Sequence, residues 1–199
     1  MTRYYVGDSP VHVTVLPPEM SWDFALFEST TATLIDPEGV SHDGLTASIT
    51  NFQEEVHVTW PKGSLLDKPG LWMLRVDLTT TEGKTEHFPP YGIPVEQEDG
   101  WHTIDSLRDE WRDAPLDDAQ LFVLMQSAKD QCETFAPALS GPVPLRYRQA
   151  QAMQTRALWN AGHTNQDQFG ANGLTVTAFP MDWQVKNLLR PQRAVGGFF

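Results

Sequence analysis

Asp117-Asp118-Ala119-Gln120-Leu121-Phe122-Val123-Leu124-Met125-Gln126-Ser127-Ala128-Lys129-Asp130-Gln131-Cys132-Glu133-Thr134-Phe135 decides how the C-terminal half of this chain folds. Leu121, Leu124, Met125, Ala128, Cys132 and Phe135 recur at steps of three and four, which lines them along one face of an α-helix that has to be buried. Asp117 and Asp118 stand at its start, where a carboxylate caps free backbone N–H groups and faces the positive end of the helix dipole. Pro137 stops it. A second helix is predicted from Pro144 to Ala161, with Ala150, Met153, Ala157 and Ala161 on one side and Gly162 at its end. Stripes of Met and Ala at this spacing are core, so the two segments read as a packed helical pair.

Outward from this pair the helical period continues. Ile104, Leu107 and Trp111 predict a short helix with Thr103 as N-cap and Asp105 in its first turn. Beyond Gly162 come a polar loop (His163 to Gly173), a strand (Leu174 to Phe179) and a short helix (Asp182 to Leu189) ended by Pro191. The tail from Arg190 to Phe199 closes on two Phe, which are either frayed or docked on a neighbour. The stretch from Glu96 to Gly100 is polar and acidic, and there the period changes from two to that of a helix, which places a domain boundary between residues 97 and 98.

Before that boundary, Val11, Val13 and Val15 alternate with His12 and Thr14. Short apolar runs follow around Phe24 to Phe27, Thr31 to Ile35, Leu45 to Thr50, Glu55 to Trp60, Gly70 to Thr79 and Thr85 to Val95, with turn residues between them. About seven strands at this spacing predict an antiparallel β-sandwich. Pro89, Pro90 and Pro94 mark the final strand as an edge, because Pro cannot donate to a ladder. Lys68-Pro69-Gly70-Leu71-Trp72-Met73-Leu74-Arg75-Val76 resembles a strand near the end of many immunoglobulin-like sandwiches, with Trp72 where a Tyr is common, and Thr80 to Lys84 can turn it into a hairpin. The expected fold class is therefore α+β in two domains, an immunoglobulin-like β-sandwich over residues 1–97 and a small α-helical bundle over 98–199.

With 40% apolar residues, seven Trp and ten Phe among 199, the chain can build a real core. Its formal charge of −12 is unevenly placed: 5 Lys or Arg against 14 Asp or Glu up to Gln97, a net of −9, then 9 against 12, a net of −3. Glu98 to Glu133 holds 3 basic and 10 acidic residues, whereas Arg146 to Phe199 holds 6 and 2. Such ends suit head-to-tail contact between copies, and equally a charge balance within one copy. An acidic surface excludes broad nucleic-acid binding. No apolar run approaches the ~20 residues of a membrane span, and the first five residues lack a signal-peptide core, so the chain is expected to be soluble in a reducing cytoplasm. Cys132 is alone and lies on the apolar face of its helix.

Catalytic and ligand signatures are missing from the sequence. The six His (positions 12, 42, 57, 87, 102 and 163) form no helical pair of metal-ligand spacing, and there is no phosphate loop or nucleophile elbow. Asn165-Gln166-Asp167-Gln168-Phe169-Gly170 begins like a calcium loop, yet Phe169 stands where a third oxygen ligand belongs and no Glu closes it. No enzyme activity, cofactor or metal is expected.

The second half resembles the head-to-tail adaptor (head-completion, connector) proteins of long-tailed bacteriophages, most of all those of phages of actinobacteria. The resemblance lies in Asp117-Asp118-Ala119-Gln120-Leu121, Ala128-Lys129-Asp130-Gln131-Cys132-Glu133, Phe135-Ala136-Pro137, Val143 to Ala152, Leu158-Trp159-Asn160-Ala161, and Asp182-Trp183 with Leu188-Leu189-Arg190-Pro191. It implies a small helical domain repeated, commonly twelve times, as a homo-oligomeric ring in the neck of the virion. Its partners would be the portal protein, a tail or stopper protein and other copies, with genomic DNA passing through the lumen unbound and no membrane involved. On that reading, the residues expected to meet the portal or a neighbouring copy are Arg146, Arg148, Arg156, Arg190, Arg193, Phe198, Phe199, Asp109, Asp113, Asp117 and Asp118. Trp159 is expected to be buried. The sandwich has no counterpart in the minimal adaptor. It is expected to decorate the collar or brace the capsid vertex; alternatively, exposed Trp or Tyr would make it a carbohydrate-binding module for the host surface.

Overall fold

Alternation along Gly70–Thr80 puts Trp72, Leu74, Val76 and Leu78 on one face, and all four are buried. Each contributes on the order of 1.5 to 3 kcal/mol relative to exposure. The computed structural model describes residues 3–16, 23–50, 55–63, 66–164 and 181–190. The chain divides into two compact units, residues 1–97 and 98–199, of mixed α+β structure.

The described strands of the first unit are β1 (Tyr4–Tyr5), β2 (His12–Val15), β3 (Phe27–Ile35), β4 (Ser41–His42), β5 (Thr46–Thr50), β6 (Glu55–Thr59), β7 (Gly70–Thr80), β8 (Thr85–His87) and β9 (Tyr91–Glu96). One sheet runs β1-β9-β7-β3-β4, with β8 also on β7; the other runs β2-β6-β5. Val13 and Val15 of β2 and Val56 and Val58 of β6 share a single core with Leu34, the β7 stripe, Ile93 and Val95. Two layers around one core make the unit sandwich-like.

Several sequence expectations change in detail. Phe24–Leu26 is a 3₁₀ turn capped by the Asp23 carboxylate rather than part of a strand. The predicted strand from Thr85 to Val95 is two strands that share one side of β7, broken at Pro89-Pro90, where two N–H donors are missing. β9 is not an edge: β1 pairs with it, in parallel, at Tyr4↔Val95 and Tyr5↔Glu96. Pro94 lies just before that short pairing, at a position whose missing N–H points away from β7.

The turn after β3 is tied to the entry of β7 by Asp36. This nearly buried carboxylate accepts from the N–H groups of Glu38 (2.9 Å) and Val40 (2.8 Å) and from Lys68 Nζ (2.9 Å), which also donates to Glu38 at 2.6 Å. Burial by itself would raise the Asp36 carboxyl. The hydrogen bonds from Lys68, Val40, His42 and Glu38 outweigh it and hold the group well below the usual carboxylate range. Beside this knot, Gly70 has φ +140°, and a Cβ there would sit 2.5 Å from Cγ of Pro37.

The second unit holds α1 (Ile104–Glu110), α2 (Asp118–Phe135), α3 (Leu145–Thr164) and α4 (Trp183–Leu189). Thr103 and Ser106 cap α1 reciprocally, Asp117 caps α2 by accepting from the N–H groups of Ala119 (2.9 Å) and Gln120 (3.4 Å), and Asp182 caps α4. Leu121, Met125, Ala128 and Cys132 of α2 are fully buried, whereas Phe135 is exposed. α3 runs past Gly162 to Thr164, and its buried face differs from the expected Ala and Met stripe: Tyr147, Ala150, Gln151, Gln154 and Thr155 point inward, Ala157 faces solvent and Trp159 is only half-buried. The reason is polar pairing: Gln151 accepts from His102 N–H (2.9 Å) and donates to the Met125 carbonyl (3.3 Å), and Gln154 donates to Gln131 Oε1 (2.7 Å). The strand expected from Leu174 to Phe179, the calcium-like loop and the tail after Arg190 lie outside the described residues.

Gly70→Ala is expected to destabilise the N-terminal unit by about 2 to 4 kcal/mol, through clash with Pro37 and a left-handed backbone forced on a Cβ. Urea unfolding followed by tryptophan fluorescence measures it.

Candidate functional site

In the helical unit, α1, the turn after it and the start of α2 form one end. Arg108 organises this end: its Nη1 lies 2.5 Å from Asp118 Oδ1, and its Nη2 donates to the carbonyls of Pro115 (2.8 Å) and Leu116 (3.0 Å). Asp118 is 4% exposed. The loop 112–117 is thereby pinned from below while its outer side chains, Asp113, Leu116 and Asp117, face solvent together with Asp109 of α1. Arg156 reaches the same end from α3, donating to the Glu110 carbonyl at 2.5 Å and lying over the Trp111 ring at 5.5 Å.

At the other end of α2, Cys132, Tyr147, Ala150, Val185 and Leu189 share a small core with Trp101. α4 lays Val185 and Leu189 inward and leaves Trp183, Gln184 and Arg190 outward. Lys186 Nζ lies 5.9 Å from the Phe135 ring centroid, so the end of α2 and the outer face of α4 are continuous. Arg146 stands over the Tyr147 ring at 5.3 Å. Arg190 donates to Asn187 Oδ1 at 3.3 Å.

The residues named from the sequence therefore divide. Asp109, Asp113 and Asp117 lie together on one end and Arg190 on the other, all exposed. Asp118 is enclosed by its own unit, and Arg146, Arg148 and Arg156 are half-buried against aromatic rings or other chain groups. Arg193, Phe198 and Phe199 lie outside the described residues. Sequence reasoning missed Arg108, whose partners lie across a turn, and the exposed apolar set Leu116, Phe135, Leu145 and Trp183. For Leu116 a signal was present. An apolar residue just before an N-cap commonly packs on the fourth helical residue, here Leu121. Leu121 is fully buried and Leu116 is 94% exposed, so that staple is not made.

His102, Ser106 and Glu110 lie close together: His102 Nδ1 is 2.9 Å from Ser106 Oγ, and its Nε2 is 3.6 Å from Glu110. Ser106 is committed to the cap of α1, and the His102 side chain is closed to solvent, which leaves no room for a substrate. Burial lowers the His102 pKa from its ordinary 6.5, with the Glu110 charge opposing and Arg148 assisting. Burial, with Glu133 adding to it, pushes the Cys132 thiol up to about 12, so it is no nucleophile at neutral pH. Among the described residues no group of three His, Cys, Asp or Glu is placed to hold a metal ion, and no helix is long and apolar enough to cross a membrane. A cavity of ≈ 390 Å³ in the N-terminal unit, lined by Arg3, Tyr4, Asp8 and His12 among others, contains none of the residues expected to meet the portal or a neighbouring copy.

No family model matches this sequence, and no curated protein matches it. Among solved structures the chain is similar to CopC from Methylosinus trichosporium OB3b, at 14% identity and a TM-score of 0.28, over 51% of this chain and 91% of that one. So distant a likeness defines neither fold nor activity.

Arg108→Ala is expected to cost about 2 to 4 kcal/mol, somewhat under the ~3 to 5 for breaking a fully enclosed pair, because it strands the Asp118 carboxylate and two carbonyls. Chemical denaturation measures it. The second expectation concerns pH. The unfolded chain protonates His102 below its ordinary 6.5 while the folded unit keeps it neutral, so its contribution is complete above that pH and is lost as pH falls toward the folded value. Melting midpoints at pH 7.5 and 5.5 should differ more for the native protein than for His102→Gln.

Proposed function

We propose that this protein is a structural virion component, a ring-forming adaptor between portal and tail that completes the head and lines the DNA passage without binding DNA. The observation that supports this reading most is how the resembling segments fall. Asp117 caps α2, Ala128 to Glu133 lies within it and Ala136 closes it; Leu145 to Ala152 opens α3; Asp182 caps α4, and Arg190 ends it. Among the described residues the helical unit exposes Leu116 at one end and Phe135, Leu145 and Trp183 at the other, apolar side chains that contacts between copies would cover. Individually weak contacts of this kind become lasting when a dozen act at once around a ring.

On this proposal the protein works without catalysis, its partners are the portal, a tail or stopper protein and its own copies, and it resides at the head–tail neck after assembly in the host cytoplasm. The N-terminal unit is an immunoglobulin-like decoration of the neck or vertex, and its net charge of −9, 5 basic against 14 acidic residues, keeps it solvated. For the alternative of a carbohydrate platform on that unit, Trp60 and Trp72 are core residues and cannot stack on a sugar, which leaves the half-buried Tyr4, Tyr5 and Tyr91 among its described Trp and Tyr residues.

A phage lacking the gene should yield filled heads without tails in electron micrographs, and complementation should restore tails. Tailed, infectious particles from the deletion would end the adaptor reading.

A further inference from the structure

Leu116 is 94% exposed on a loop that is anything but loose. Arg108 holds the Pro115 and Leu116 carbonyls and the Asp118 carboxylate, Ala114 and Pro115 are buried beneath, and Asp117 is fixed as the cap of α2. The entropy cost of ordering this knob is met in the free protein, which is how a preorganised contact gains affinity. Asp113 and Asp117 flank it and face solvent.

The complementary surface lies at the far end of the same helix. Trp183 and Lys186 are three apart on α4 and Arg190 is four further, which puts all three on one face, and Phe135 stands beside Lys186. Trp183 is 68% and Leu145 64% exposed. An apolar patch with Lys186 and Arg190 at its side suits an apolar knob with carboxylates at its side. Leu116 and Phe135 bracket the 18 residues of α2, about 27 Å of rigid helix, so the two surfaces cannot meet within one copy.

We propose that Leu116 of one copy seats on Trp183 and Phe135 of the next, with Asp113 and Asp117 against Lys186 and Arg190, as a head-to-tail contact between copies of this chain. The contact is heterologous, the type that closes into a ring when the rotation from copy to copy closes. It deepens the adaptor reading by naming the surfaces through which copies join.

Full-length Gln120→Cys and full-length Gln184→Cys, carrying different affinity tags, are mixed and treated with a short bismaleimide. Gln120 is exposed about one turn beyond Leu116 and Gln184 is exposed beside Trp183, so both the knob and the aromatic ring are kept, and buried Cys132 does not compete for the reagent. The expected product is an adduct of one copy of each, in clear excess over either variant alone. Adding Asp113→Lys to the first copy should lower the yield by about fivefold, and adding Lys186→Glu to the second should restore it. A mixture that gives no more adduct than the separate variants, or a yield indifferent to both charge changes, overturns the proposal. Adduct formation alongside tailed particles from the gene deletion would keep the contact and remove the adaptor role; tailless heads without any adduct would do the reverse.

Discussion

A glutamine with no access to solvent holds the helical unit together. Gln151 stands in the middle of α3, accepts from the His102 N–H where the chain turns into α1, and donates to the Met125 carbonyl in the middle of α2. Its own carbonyl accepts from Thr155 Oγ1 at 2.8 Å. In surroundings of low dielectric each of these bonds is stronger than in water, and each unmade one costs more. This side chain fixes the register of α3 against α2 and against the segment entering α1, and Gln154 on Gln131 repeats the α3–α2 tie about one turn further on. Leu121, Phe122, Met125, Ala128 and Ala150 fill the space around it, but apolar contact alone would permit neighbouring registers of similar energy.

Charge in this unit has two separate uses. Arg108 with Asp118, and Lys129 with Asp99, connect segments of one copy, and Arg156 on Trp111 does the same. Asp109, Asp113 and Arg190 stay in solvent. Formal charge counts cannot separate these groups, because an Asp that closes a helix from inside and an Asp that faces water differ only in what the fold puts next to them. Adjacent Asp117 and Asp118 show it: the first caps α2 from the outside, and the second turns inward to Arg108.

The starts of the helices were legible because capping is local: Thr103, Asp117 and Asp182 satisfy N–H groups two or three residues ahead, within reach of any pattern that spans a single turn. β7 was legible for a similar reason, its period of two being the pleat itself. The face of α3 was misjudged because Gln151, Gln154 and Thr155 read as solvent-facing until their partners on α2 and before α1 are known. The short parallel strand β1 was equally hidden, since its pairing with β9 joins residues some ninety positions apart.

By itself the sequence determined the starts of α1, α2 and α4, the pleat of β7 and the uneven charge of the C-terminal half, because these depend on neighbours along the chain. Only the tertiary structure decided which polar groups are enclosed, that Leu116 is lifted out on a pinned loop, and that Trp183 faces outward with Lys186 and Arg190. An apolar residue in a periodic stretch carries the same signal whether it meets its own core or water. The difference is made by Arg108 drawing the loop carbonyls and Asp118 down beneath it, and that pull appears only once the chain has closed on itself.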